Sequence, residues 1–259
     1  MVVLTLFVKA RNAGQLARVQ DLLTAEFKDL DVDVKVLGTP VNKWVQVSLS
    51  GEDEVLATNY VSKEIGTCPV STTKIEGHTE VKGYITKVDF TKNEVEVDIG
   101  VFEPKITLAT IALADLQAQL ADGKKIDLKK IADAYGLHEN LPLSVKIGDK
   151  SLDAALLRAE LSTSQIEKIS NWRLSLLDRL IVLGSSSDDV QAVLQRTRLD
   201  RDIIDVQRLG LFEHALTCKL GTDATGLIPR LGRYMRNAVF VVFSPRRVSG
   251  LIGETPLTL

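Results

Sequence analysis

Apolar positions along the chain follow two rhythms, and the places where one gives way to the other mark the elements. Alternation at every second residue predicts a half-buried strand, and steps of three and four predict a helix face. Val2 to Val8 reads as a first strand. Leu16, Val19, Leu22, Leu23, Phe27 and Leu30 then mark one helical face. Val32, Val34 and Val36 alternate with Asp33 and Lys35, Gly38-Thr39-Pro40 turns the chain, and Trp44, Val45, Val47 and Leu49 form a third strand. Glu52–Ile65 starts with acids, which suit a helix N-terminus, and Gly66 stops it. A short strand is expected within Pro69–Ile75. The order βαββαβ makes residues 1–75 a ferredoxin-like module.

The rhythm then changes. Tyr84, Thr86, Val88 and Phe90 share one side of Val81–Phe90, with Phe90 expected in the core. Val95, Val97 and Ile99 share a side of Glu94–Ile99, and Pro104–Ala109 starts a third strand. Helices are predicted at Leu113–Leu120 and Lys124–Tyr135, followed by a strand at Leu141–Ile147. Residues 76–150 therefore read as a small OB-like barrel with a helical insertion. Residues 151–176 read as a helical linker, with Ser162 and Gln165 in capping-box spacing. Residues 177–259 return to βαββαβ: a strand at Asp178–Leu183, a helix capped at Ser186–Asp189, strands at Ile203–Leu209 and Phe212–Leu220, a helix with Pro229 in its first turn, and a last strand at Ala238–Phe243. The expected fold is α+β, two ferredoxin-like domains flanking an OB-like barrel, the second with an Arg-rich C-terminal face.

Composition sharpens this picture at three points. Of 259 residues, 45% are hydrophobic and 25% charged, as in ordinary globular chains. No apolar run reaches membrane-spanning length, and the charges Lys9 and Arg11 follow the first apolar run, the reverse of a secretion signal. Cys68 and Cys218 are remote from each other, which fits a reducing cytoplasm. The formal net charge is −2, yet it is unevenly spread: eleven of the twelve cations after residue 169 are arginine. Arginine suits bidentate phosphate or carboxylate contacts.

Val206–Pro229 resembles the C-terminal core of an archaeal family of uncharacterised proteins, domain of unknown function 2110. Val2–Leu4 and Asp29–Val34 resemble the family's opening. Gly83–Val88 and Val97–Gly100 are similar to the opening of an S1-type OB-fold. The family resemblance implies an archaeal cytosolic protein linked to transcription or translation. It implies no catalytic residue.

Chemistry-bearing residues are sparse. His78, His138 and His214 stand in separate segments without metal-ligand spacing, so no metal and no cofactor is expected. Cys218 sits in an apolar strand and reads as a small buried hydrophobe. Gly221-x4-Gly226 opens like a phosphate loop, but Leu227-Ile228 replaces the required Lys-Ser/Thr; only a helix N-terminus able to hold one phosphate survives. Asp200, Asp202 and Asp205 lie among Arg198, Arg201 and Arg208, which predicts surface ion pairs. The strongest signal is the acid-free run from Gly226 to Gly250, which holds Arg230, Arg233, Arg236, Arg246 and Arg247. In the barrel, Lys82, Lys87 and Lys105 accompany Tyr84, an aromatic side chain that could stack a base.

These residues point to a non-catalytic protein that binds RNA or works with the RNA machinery of transcription or translation, with Arg230, Arg233, Arg236, Arg246, Arg247, Lys82, Tyr84, Lys87 and Lys105 as its contacts. An adaptor docking on RNA polymerase or the ribosome without touching RNA is the alternative. An enzyme with a site near His214 is a third, and the sequence leans against it. No membrane partner is expected, and the oligomeric state stays open.

Overall fold

The structure, a computed structural model, describes residues 1–75, 80–148 and 156–253. By contacts the chain divides into two compact units: Met1–Ile75 with Gly100–Ile106, and Glu76–Ile99 with Thr107–Leu259.

In the first unit, β1 (Val2–Lys9), β3 (Trp44–Gly51) and β2 (Val32–Val41) form an antiparallel sheet in the order β1-β3-β2. Helix α1 (Ala13–Glu26) buries Val19 and Leu23, with Phe27 just beyond it, the face that the periodicity predicts. Asn12 caps it by accepting from Gln15 N–H at 2.9 Å. Helix α2 (Glu54–Glu64) buries Ala57 and Val61. The expected fourth strand does not join this sheet as a strand. Its contact with β1 is one antiparallel bridge, Leu6 to Thr67. Pro69 then removes the next donor, Val70 adopts a φ of 65°, and the two-residue β4 (Val70–Ser71) pairs in parallel with Val101 and Glu103 instead.

The second unit opens with a closed five-stranded barrel. It comprises β5 (Glu80–Asp89), β6 (Glu94–Glu103, whose last residues count with the first unit), β7 (Thr107–Ala112), β8 (Pro142–Ile147) and β9 (Leu156–Leu161). Going round the ring, β5 pairs β6, β6 pairs β7, β7 pairs β9 in parallel, β9 pairs β8 and β8 pairs β5. Helices α3 (Leu113–Leu120) and α4 (Leu128–Tyr135) fill the connection from β7 to β8. Val95, Val97 and Ile99 are fully buried, as their alternation predicts. Residues 156–161 correct the reading of 151–176 as a helical linker, because they form the strand that closes the ring; among the described residues of that stretch the helix is α5 (Thr163–Leu174), capped by Ser162.

Strand β5 also departs from its expected alternation. Ile85 pairs Val97 but Lys87 pairs Glu96, so Thr86 is an extra residue, a bulge. A one-residue shift exchanges the two faces of a strand. Beyond the bulge Phe90 is turned outward and is 53% exposed, not in the core. Tyr84, before it, is 1% exposed because it packs towards the strand of Glu213, which its hydroxyl meets, so it is no base-stacking surface residue.

Beyond α5, β10 (Arg179–Leu183), α6 (Ser187–Thr197), β11 (Ile203–Arg208), β12 (Glu213–Cys218), α7 (Ala224–Gly232) and β13 (Val239–Phe243) build a four-stranded antiparallel sheet in the order β11-β12-β10-β13. One face buries Leu180, Val182, Leu216 and Cys218 against α6 and α7. The other meets the barrel's helices: Trp172 and Tyr135 lie 5.4 and 6.3 Å from the Phe243 ring. Pro229 lies inside α7, not in its first turn. After β13 the chain forms α8 (Pro245–Ile252), which the hydrophobic pattern left unread; Pro245 starts it and Gly253 ends it in the left-handed region.

Gly83 allows β5 and β6 to approach. A Cβ there would stand 2.5 Å from Val97 Cγ1 and 2.9 Å from the Asp98 carbonyl oxygen. Gly83→Ala is expected to destabilise this unit by about 1–3 kcal/mol, the usual range for overpacking, as measured by denaturant unfolding.

Candidate functional site

The C-terminal sheet ends in a cavity of about 530 Å³. Three loops meet there: Leu176–Asp178 leading into β10, Lys219–Asp223 following β12, and Ser244–Arg247 following β13. Each loop is held locally. Arg179, buried at the start of β10, donates from Nη1 to the Trp172 carbonyl at 3.1 Å, Ser175 Oγ at 2.9 Å and the Leu177 carbonyl at 3.1 Å. Its guanidinium also stacks 5.1 Å from the Trp172 ring, so one arginine of the C-terminal set is structural. Burial lowers its pKa, an effect that Asp205 and Cys218 oppose. The second loop turns at Gly221, whose φ of 85° favours glycine, and Asp223 accepts from Thr225 N–H at 2.9 Å to cap α7.

The third loop is different. Ser244 precedes α8 but its side chain makes no capping bond. The first backbone bond there runs from Val248 N–H to the Ser244 carbonyl at 3.1 Å. The N–H groups of Arg246 and Arg247 thus remain in the open first turn of a helix, where the dipole favours an anion. Both side chains are exposed. Among the described residues, Arg246, Arg247 and Lys219 form no ion pair. Asp178 and Asp223 also line the cavity, and Leu176, Leu177, Leu220 and Val242 give it an apolar part. Leu176 holds a φ of 56°, a costly conformation for a residue with a Cβ.

This cavity gathers only part of the expected contact set. Arg246 and Arg247 belong to it. Arg230 lies near the far end of α7 and donates from Nη2 to the Thr197 carbonyl at 2.6 Å, capping α6. Arg233 and Arg236 are exposed in the turns beyond α7. Nine helical residues span about 14 Å, so the arginine run is divided between the two ends of α7. Lys82 is exposed on β5. Lys87 is exposed but engaged, 2.5 Å from Asp89, which it holds at a pKa of about 2 with help from the Lys92 and Thr91 N–H groups. Lys105 lies in the first unit. Tyr84 is removed from the contact set by burial: its hydroxyl donates to Glu213 Oε2 at 3.2 Å. Sequence reasoning missed Lys219 and Asp178, which reach the cavity only because β12 and β10 end and begin at the same edge.

Neighbouring β12 residues point to opposite faces. Glu213 meets Tyr84, whereas His214 shares the face of Leu216 and Cys218. Its ring is 1% exposed, and neither nitrogen has a partner. Burial first, and then the charge of Arg208, lowers its pKa to about 4. A catalytic cluster of His214 with converging carboxylates is thus not formed. Burial pushes the Cys218 thiol up to about 11, so it is no nucleophile at neutral pH. His138 is exposed, and His78 lies outside the described residues. The surface ion pairs expected of Asp200, Asp202 and Asp205 with their neighbouring arginines are not formed among the described residues. Nor do any three His, Cys, Asp or Glu side chains cluster there to hold a metal. No helix is long and apolar enough to cross a membrane.

Comparison with known families matches the chain over three stretches. The DUF2110 N-terminal domain matches residues 1–71, the central domain 75–173 and the C-terminal domain 177–243. The chain belongs to the DUF2110 family. None of the curated proteins matches it. The C-terminal DUF2110 domain contains the β12–α7 side of the cavity, while Ser244–Arg247 follow its matched range.

Two substitutions test the buried polar groups. Tyr84→Phe removes a buried donor from Glu213; it is expected to lower stability by about 1–3 kcal/mol, as read by denaturant unfolding. His214 keeps a folded-state pKa below its ordinary 6.5, so the unfolded chain takes up a proton that the native ring refuses. Stability is unaffected above pH 6.5 and falls between pH 6.5 and about 4. Over that window the unmodified protein is expected to lose roughly 2–3 kcal/mol more than His214→Leu, as read by denaturant melts at each pH.

Proposed function

We propose that this chain is a non-catalytic RNA-binding protein associated with the transcription or translation machinery, and that it holds RNA at the C-terminal cavity. The observation that carries this reading is the convergence of Lys219, Arg246 and Arg247, none ion-paired among the described residues, on the rim of one 530 Å³ concavity. Uncompensated cations at a surface release the counterions of a bound polyanion, which drives association. The ring order of the barrel, with the third and fifth strands parallel and helices before the fourth, supports reading it as OB-like. The antiparallel order β11-β12-β10-β13 supports a ferredoxin-like reading of the last module, and the single Leu6–Thr67 bridge supports a reduced version of it in the first.

The test is binding of a single-stranded RNA dodecamer, followed by fluorescence anisotropy across salt concentration. Three phosphate contacts predict a log–log slope near −2, at about −0.7 per phosphate for single strands. Arg246→Ala with Arg247→Ala is expected to reduce the slope by about 1.4, because both residues are solvent-exposed and their loss leaves the fold intact. Absence of salt-dependent binding at low ionic strength would reject the reading. An acidic peptide that binds where RNA does not would favour the adaptor.

A further inference from the structure

The cavity is more specific than a positive patch. Its three cations, Lys219, Arg246 and Arg247, all line one concavity, and Arg233 and Arg236 sit beyond the other end of α7. A strand interior offers singly charged phosphodiesters spaced along a path. A terminal phosphomonoester, with a second pKa near 6, carries close to two charges at one point at neutral pH. Two exposed guanidiniums, an ammonium and the open first turn of α8 match the second kind of ligand.

The other walls fit the rest of a nucleotide. Asp223 is committed to capping α7, but Asp178 has no such assignment and stands on the β10 side of the cavity. A carboxylate there would oppose phosphate; it would accept a hydrogen bond from a ribose hydroxyl, as acidic residues do in dinucleotide sites. Leu176 and Leu220 are exposed apolar side chains on facing loops, surface that a base would cover. The volume lies within the usual range of small-molecule sites.

We propose that the cavity takes the phosphorylated end of a ribonucleotide chain, with the phosphomonoester on Arg246, Arg247 and Lys219, the ribose hydroxyl on Asp178 and the base against Leu176 and Leu220. This rests on the RNA-binding reading and narrows it from strand to end. Free nucleoside monophosphates share the same chemistry, so the experiment includes them.

Full-length protein is titrated with dodecamers of one sequence carrying either a 5′-phosphate or a 5′-hydroxyl, as RNA and as DNA, with a 3′-phosphorylated RNA alongside. The expected result is at least tenfold tighter binding of one end-phosphorylated RNA than of the hydroxyl form. Arg246→Ala with Arg247→Ala abolishes that difference, while Arg233→Ala with Arg236→Ala preserves it. Asp178→Ala is expected to raise phosphate affinity and equalise RNA with DNA. Adenosine monophosphate that displaces the oligomer assigns the site to free nucleotides as well; failure to displace assigns it to chain ends, and both outcomes keep the phosphomonoester. Equal binding of all ends overturns this inference and leaves RNA binding standing. Binding of neither form overturns both.

Discussion

Strand β12 is buried along its whole length, and this confines where the second unit can act. All six residues from Glu213 to Cys218 lie out of solvent, as do the five of neighbouring β10. One face of the sheet is covered by α6 and α7, the other by the barrel and its helices. The two central strands, covered on both faces, offer neither as a binding platform. Strand ends and connecting loops are accessible, and at one end they line the basic cavity. The polar groups inside follow the same constraint. Glu213 takes a hydrogen bond from Tyr84 across the packed surfaces, while His214 stays neutral among hydrocarbon.

The same packing explains why charge collects at that edge. Inside the sheet, Arg179 uses its guanidinium on backbone carbonyls and an aromatic ring and thereby fixes the loop that carries Leu176 and Asp178. Arg230 likewise serves a helix end. Cations beyond the ends of β12 and β13 have no such task and are reached by solvent. Lys219, Arg246 and Arg247 are grouped there because β12 and β13 end on the same side of the sheet.

Much of the secondary structure was legible because periodic burial is local. The helix face Val19, Leu23 and Phe27 and the strand face Val95, Val97 and Ile99 each follow from spacing alone. What stayed hidden depended on tertiary pairing. The bulge at Thr86 is set by β6 and turned Phe90 outward, while Tyr84 is buried by the distant strand β12 through Glu213. Strand β9 carries two adjacent leucines before Arg158, a spacing compatible with a helix, and only its partners β7 and β8 make it a strand. Helix α8 had local signals in Pro245 and Gly253, but it follows an apolar strand too closely for its period to stand out. Of the candidate site, Arg246 and Arg247 were visible as an acid-free run. Its division by α7, and the arrival of Lys219 and Asp178, required the topology.

Photocrosslinking of full-length protein to a single-stranded RNA, with crosslinked peptides read by mass spectrometry, tests the location of the site most directly. The account predicts adducts concentrated in residues 176–178, 219–223 and 244–247, displaced by unlabelled RNA. Adducts clustered on the exposed barrel surface around Phe90, or spread evenly over the chain, would contradict it.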